Sequence, residues 1–454
     1  MRPRLLDIAW PMFFELCLGI GVGVLGTILA AHISDPAGAA FALANQISAM
    51  LFILFRVVGA GVSVVVAQSL GSGQRDAADA VARAVLGASS WVGLFTATMA
   101  LAGAYPLMHL MQAPAEVLPL AAPFLQALAP AMLLDAWNAS MAGVMRAHLR
   151  VRDVLAVIVI MQLTLLGLAL LLMPLFGLPG FAIALAVSRA AGLALHLWLW
   201  RTKLNLVPRI GDWWRLPRHE LSSVLRIGLP GAAENIAYRL AFMVSVAVAG
   251  QLGAQSLATQ AYALQINYGV LLFGLATGLA VEIVVGHLIG AGQFRDAHRL
   301  VRRALVRGLA VSSIVAAAAA LAGPWLLGQF TQDAGIITTG AVLLWWTVLL
   351  EPGRTFNLVV INALRAAGDA RYPVIAGAAS MALVLGGGSW LLGIHLGMGL
   401  SGVWIAYAAD EWIRGLLMWR RWARHGWVPH ARAAHRRLRQ RGSPRHTENV
   451  SSAT

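Results

Sequence analysis

The chain has 454 residues, of which 59% are hydrophobic and only 12% charged, and its mean hydropathy is +0.73. These values exclude an ordinary soluble domain, where about a quarter of the residues carry charge. The formal charge of +15 is concentrated in loops and at the carboxyl end. No stacking aromatics or nucleic-acid-binding motif accompanies it, so nucleic acid is not the expected partner.

The apolar residues form long runs rather than stripes, which predicts helices greasy on all sides. The opening MRPRLLDIAWPMFF lacks a small-residue cleavage site and reads as a retained first helix. Cys17, the single cysteine, excludes an internal disulfide. Since about 20 residues cross a bilayer, the hydropathy predicts spans at about 9–32, 41–69, 84–111, 117–144, 154–174 and 180–200. A second set follows at about 224–250, 256–288, 303–328, 336–362, 373–394 and 400–420.

Basic residues fall in alternate loops. They precede the first span (Arg2, Arg4) and follow the second (Arg75, Arg83) and the fourth (Arg146, Arg150, Arg152). They recur in the long link after the sixth, after the eighth (Arg295, Arg299, Arg302, Arg303, Arg307) and after the tenth (Arg365, Arg371). The intervening loops carry none, so the positive-inside rule places both termini in the cytoplasm and requires an even number of spans. The expected organisation is a first lobe over 1–201, a cytoplasmic linker over 202–223, a second lobe over 224–422 and a basic tail over 423–454. The Trp213-Trp214 pair of the linker is expected at headgroup level. The tail holds Arg424, Arg432, Arg436, Arg437, Arg439, Arg441 and Arg445 against Glu448, suited to anionic headgroups.

The two halves repeat. Pro11, Glu15, Gln46 and Gly71 recur as Pro230, Glu234, Gln265 and Gly290, and 230 − 11, 234 − 15, 265 − 46 and 290 − 71 all equal 219. Six spans per repeat is an even number, so the repeats enter the membrane from the same side, related by an axis along its normal. Asn138, Arg146 and Ala147 likewise stand opposite Asn357, Arg365 and Ala366.

The W/L-P-x-x-x-E openings at Trp10–Glu15 and Leu229–Glu234 resemble those of the multidrug and toxic compound extrusion (MATE) family. So do the loops VAQSLGSGQ and VGHLIGAGQ and the segment Leu350–Pro373. The resemblance covers Leu6 to about Arg421. It implies an all-α polytopic membrane protein: twelve transmembrane helices in two pseudo-symmetric six-helix bundles forming a V. It also implies a monomeric cell-membrane exporter of amphipathic, cationic organic compounds, driven by inward H⁺ or Na⁺, with no cofactor beyond that ion. One departure stands out. Many bacterial members carry a coupling aspartate before a threonine in the outer half of the first helix, where this chain has Gly26 before Thr27. The repeat counterpart is Ser245.

Charges inside spans are costly and point to function. The ion-coupling candidates are Glu234, Glu15, Glu282, Glu351, Asp135 and Asp410, with Glu234 first, since Arg239 five residues on points off its face. Glu234 is also the position at which Na⁺ is expected. Glu15 has a second reading as a clamp on Arg56. Glu351 with Arg354, and Asp410 and Glu411 with Arg414, are spaced for ion pairs on single helix faces, which leaves coupling and structural roles both open. Asn235, Tyr238, Tyr262, Gln265, Asn267, Gln46 and Arg56 are candidates for the substrate cavity, the first five in the second lobe. For the glutamines and asparagines, interhelical glue is the competing reading. Two other functions remain in view. A lipid or lipid-linked oligosaccharide flippase calls for several cavity arginines. An integral-membrane transferase calls for an acid/base or metal constellation of the HExxH or DxD kind, and the twelve histidines form none within spans.

Overall fold

A computed structural model describes residues 4–111 and 113–442, without side chains at 56, 57, 441 and 442. The described residues are helical, with no strand among them. The first lobe contains α1 (Leu5–Ile33), α2 (Asp35–Gly71), α3 (Arg75–Ala102), α4 (Ala104–Leu110), α5 (Leu118–Ala127), α6 (Ala129–Ala147), α7 (Val151–Phe176) and α8 (Leu178–Leu199). The second contains α9 (Arg218–Gln251), α10 (Ala254–Gly290), α11 (Phe294–Leu321), α12 (Gly323–Gly328), α13 (Ala334–Ala366), α14 (Arg371–Ser380), α15 (Gly388–Trp390) and α16 (Gly399–Ala423). α14 and α15 are joined and continued by π-helical turns at Met381–Gly387 and Leu391–His395. A last helix, α17 (Val428–Gly442), follows.

Ten of these segments are long and apolar enough to cross a bilayer, and α5 with α6, bent by 44°, makes an eleventh. The twelfth span is α16. Asp410, Glu411 and Arg414 lie near its middle, so no 18-residue stretch of it is free of them. Exposed leucines, isoleucines and tryptophans such as Leu171, Trp198, Ile314, Trp345 and Leu383 form the apolar exterior that hydrocarbon tails would cover.

Local signals set the helix boundaries. The Ser34 hydroxyl accepts from the Ala37 N–H at 3.2 Å and starts α2, while the Asp333 carboxylate accepts from Gly335 and Ile336 and starts α13. Gly73 and Gly292, at φ +78° and +73°, turn the chain after α2 and α10, in a backbone region that a side chain disfavours.

The linker is folded onto the first lobe. Trp213 packs edge-on against Trp137 at 5.0 Å, and Trp91 donates to the Trp214 carbonyl at 3.1 Å. α9 begins at Arg218, six residues before the expected boundary. α17 reaches both lobes. His435 Nδ1 sits 2.8 Å from the Gly290 carbonyl in the second lobe, while Gln74 of the first lobe donates to the Leu438 carbonyl. Asp369 anchors the preceding turn through Arg421 at 2.9 Å and His430 at 3.8 Å; Arg371, next to it in sequence, is not its partner. The tail positions Arg445 and Glu448 lie outside the described residues.

The lobes meet through α1 with α10 and α2 with α9, each pair related by the repeat. Ile8, Ala9 and Met12 of α1 pack on Ala276, Ala280, Ile283 and Val284 of α10. On the other side, Val224 and Ile227 of α9 join the core formed by α2, α3 and α6.

Candidate functional site

The seam between the lobes is built from the repeated motifs. Arg146 at the end of α6 donates to Glu15 of α1, and Arg365 at the end of α13 donates to Glu234 of α9; both pairs are 131 residues apart. The following residues face across the seam. His287 Nε2 lies 2.7 Å from the Ala147 carbonyl, and Gln68 Nε2 donates to the Ala366 carbonyl at 2.8 Å. These contacts are copies of one another, since 287 − 68 and 366 − 147 both equal 219.

Gly71 and Gly290 complete the match. A Cβ on Gly71 would strike the His287 carbonyl, and one on Gly290 the Gln68 carbonyl. The repeated glycines therefore let two backbones touch, while Gly73 and Gly292 supply the turns.

Glu15 is held by Arg146, a partner its own helix spacing does not announce; the side chain of Arg56 lies outside the described residues. One sequence expectation needs correction here. Glu234 is not a free carboxylate, because Arg365 reaches it from α13. That contact joins residues far apart in the chain, and helix spacing around Glu234 gives no sign of it.

Inside the second lobe lies a buried charge network. Arg354 Nη1 is 2.7 Å from Glu351 and its Nε 3.2 Å from Glu411. Arg414 Nη2 is 2.7 Å from Asp410 and 2.9 Å from Glu411. Asn357 donates to Glu411 at 3.0 Å and Ser380 to Asp410 at 2.7 Å. All five charged residues are buried, none more than 8% exposed. Three carboxylates face two guanidiniums, so the fully ionised cluster carries one excess negative charge. The expected pairs on single helix faces are present, and Glu411 links them into one unit. Tyr238 places its ring 5.9 Å from the Arg414 guanidinium. Asn267 lies against Glu351, and its Oδ1 is buried without a hydrogen-bond partner.

The first lobe holds a cavity of about 470 Å³ instead, large enough for one drug-sized molecule. Phe41, Phe52, Phe55, Phe124 and Phe181 line it, together with Asp135, Gln162, Arg189, Asn235 and Arg239. Asp135 is neutralised by Arg189, whose Nε is 2.7 Å away. Gly26 matters here, because a Cβ there would lie 2.7 Å from Phe41 Cζ and 3.2 Å from Phe181 Cε2. Where the resemblance implies a coupling acid, this chain packs an aromatic cluster. At the matching place in the second lobe, the Ser245 hydroxyl lies 2.5 Å from the Tyr407 hydroxyl.

The remaining candidates scatter. Asn235 lines the first-lobe cavity, not one in the second lobe as expected, because the two lobes share the wall at α9. Tyr262 stacks on Phe330 at 5.3 Å, in an outlying apolar cluster. Gln46 and Gln265 are exposed, and neither lines this cavity. Glu282 is buried in α10. Gln68 and His287 were missed as functional residues, although they stand at matched positions in the two repeated loops. Among the described residues, no group of three or more His, Cys, Asp or Glu could hold a metal ion.

Comparison with known proteins agrees with this architecture. The MatE family profile matches residues 11–173 and 230–387, one stretch in each lobe. An uncharacterized transporter of Bacillus subtilis, YisQ, is 32% identical over 430 residues, covering 93% of this chain and 94% of its own. The multidrug resistance protein PmpM of Pseudomonas aeruginosa is 23% identical over 82% of this chain and 80% of its own. A crystal structure of a MATE protein in a bent conformation superposes with a TM-score of 0.86 at 19% identity, covering 95% of this chain and 96% of that one. A lipid-embedded chain of two repeated helical lobes, matched by the family profile in both and similar to transporters rather than enzymes along its length, belongs to the MATE family of membrane transporters.

Proposed function

We propose that this protein exports amphipathic organic compounds across the cell membrane as a monomer, in exchange for inward-moving protons or sodium. Both termini and the basic loops lie in the cytoplasm, and the lobes give access to each side in turn. The observation that carries this reading is the division of labour between lobes: a cavity of cargo size in one and an unbalanced buried charge cluster in the other.

The cluster suits ion coupling because its charge is one short of balance. Glu411 touches both guanidiniums and Asn357, and Asp410 meets Arg414 and Ser380. Asp410 receives two guanidinium donors, Nη2 and Nε of Arg414, whereas Glu351 receives one, Nη1 of Arg354, beside Asn267; this makes Glu351 the carboxyl least compensated and the best acceptor of the coupling ion. Taking up a cation there removes the excess charge and relaxes the pull on α13 and α16. The Glu15–Arg146 and Glu234–Arg365 pairs serve instead to hold the inner gate, because each fixes the helix end whose next carbonyl bridges the seam.

Dye efflux from everted vesicles tests the proposal, with proton and sodium gradients collapsed separately. Collapse of one gradient is expected to stop efflux, and Glu351→Gln to stop gradient-driven efflux while leaving the protein in the membrane. Full efflux with both gradients gone, or in that variant, would overturn the coupling assignment.

A further inference from the structure

The cavity's charge says what kind of cargo it accepts. Among the described residues lining it, the ionisable groups are Asp135, Arg189 and Arg239. Asp135 and Arg189 cancel across 2.7 Å. Arg239 comes from α9 of the opposite lobe, is exposed at the cavity wall and meets no carboxylate among the described residues. Among the described residues, the cavity thus carries one uncompensated positive charge, together with five phenylalanines.

We propose that the preferred cargo is an amphipathic organic anion, with its aromatic body among the phenylalanines and its carboxylate or sulfonate against the Arg239 guanidinium. This rests on the export reading above and departs from the cationic cargo that the resemblance implies. An organic cation would have to enter beside an unpaired guanidinium, where like charges repel. An anion supplies the partner that Arg239 lacks and matches the planar fork of its donors. Asp135 does not offset this preference, because its charge is already committed to Arg189. Asn235, also on α9, and Gln162 add neutral polar groups to the same wall. The acceptor Oε1 of Gln162 is buried without a hydrogen-bond partner, and it suits a cargo that also carries an N–H or O–H.

Binding of a matched pair of probes to the purified full-length protein in detergent is the test: naphthalene-1-acetate and 1-naphthylmethylammonium, which share a ring and differ in charge. Calorimetric titration is expected to find the anion bound at least tenfold more tightly. Arg239→Gln is expected to erase that preference, and Arg239→Lys to keep most of it. Equal affinities, tighter binding of the cation, no binding of either probe, or an unchanged preference in Arg239→Gln would each overturn the proposal. Should Arg239→Gln fail to fold, the wild-type comparison alone decides. No gradient is involved, so loss of transport with intact anion preference counts against the export reading only, while efflux of cations without anion binding counts against this one only.

Discussion

Asp135 in the first lobe and Arg354 in the second occupy the same position of the repeat, since 354 − 135 = 219, yet they carry opposite charge. Around Asp135 the lobe opens into an aromatic cavity; around Arg354 it closes on a buried network of five charges. The seam behaves differently. There, an ion pair, a cross-lobe hydrogen bond and a glycine contact each appear twice in register. Symmetry is kept at the seam, where the proposed cycle needs the halves to part and rejoin as equals, and it is lost inside the lobes, where one encloses a cavity and the other a charge cluster.

The sharpest way to break this comparison is to remove the hub of the network. Glu411→Ala leaves two buried guanidiniums short of a partner and should cost about 3–5 kcal/mol, read as a large fall in thermal midpoint in detergent. Asp135→Asn in the more open first lobe should cost well under half of that. Equal losses would mean that the two interiors are not different in kind.

A smaller effect is expected from restoring the acid that the resemblance implies. Gly26→Asp drives a side chain into Phe41 and Phe181, and overpacking of this kind costs about 1–3 kcal/mol. The same change in the second lobe, Ser245→Asp, instead places a carboxylate at a buried site beside the Tyr407 hydroxyl. If Gly26→Asp were as stable as the wild type in thermal unfolding, the aromatic cluster would not be packed as described.

The smallest effects probe the seam. Gln68→Ala and His287→Ala each delete one cross-lobe hydrogen bond, worth about 0.5–1.5 kcal/mol. Each should raise the population with parted lobes several-fold, and to a similar degree, in distance measurements between spin labels on the α2–α3 and α10–α11 turns. A strong response to one and none to the other would show that the gate is not symmetric.

Much of the fold was legible because lipid imposes long apolar runs and the repeat counts them twice. α16 was legible as a span from its flanking apolar residues even though Asp410, Glu411 and Arg414 interrupt it. The pairs within α13 and α16 followed from helical spacing. The Glu15–Arg146 and Glu234–Arg365 contacts did not, because each joins helices 131 residues apart in the chain. The hint lay in the repeat itself, since Arg146 and Arg365 stand in the same register as the two glutamates. Nor did the sequence distinguish the wall Asn235 would line, since α9 starts in one lobe and borders the cavity of the other.

α17 rests on the α10–α11 turn through His435 and is gripped by the α2–α3 turn through Gln74. Those turns cannot separate without the helix surrendering one hold. In the proposed cycle α17 would therefore register the parting of the halves, and a label placed on it would report that motion.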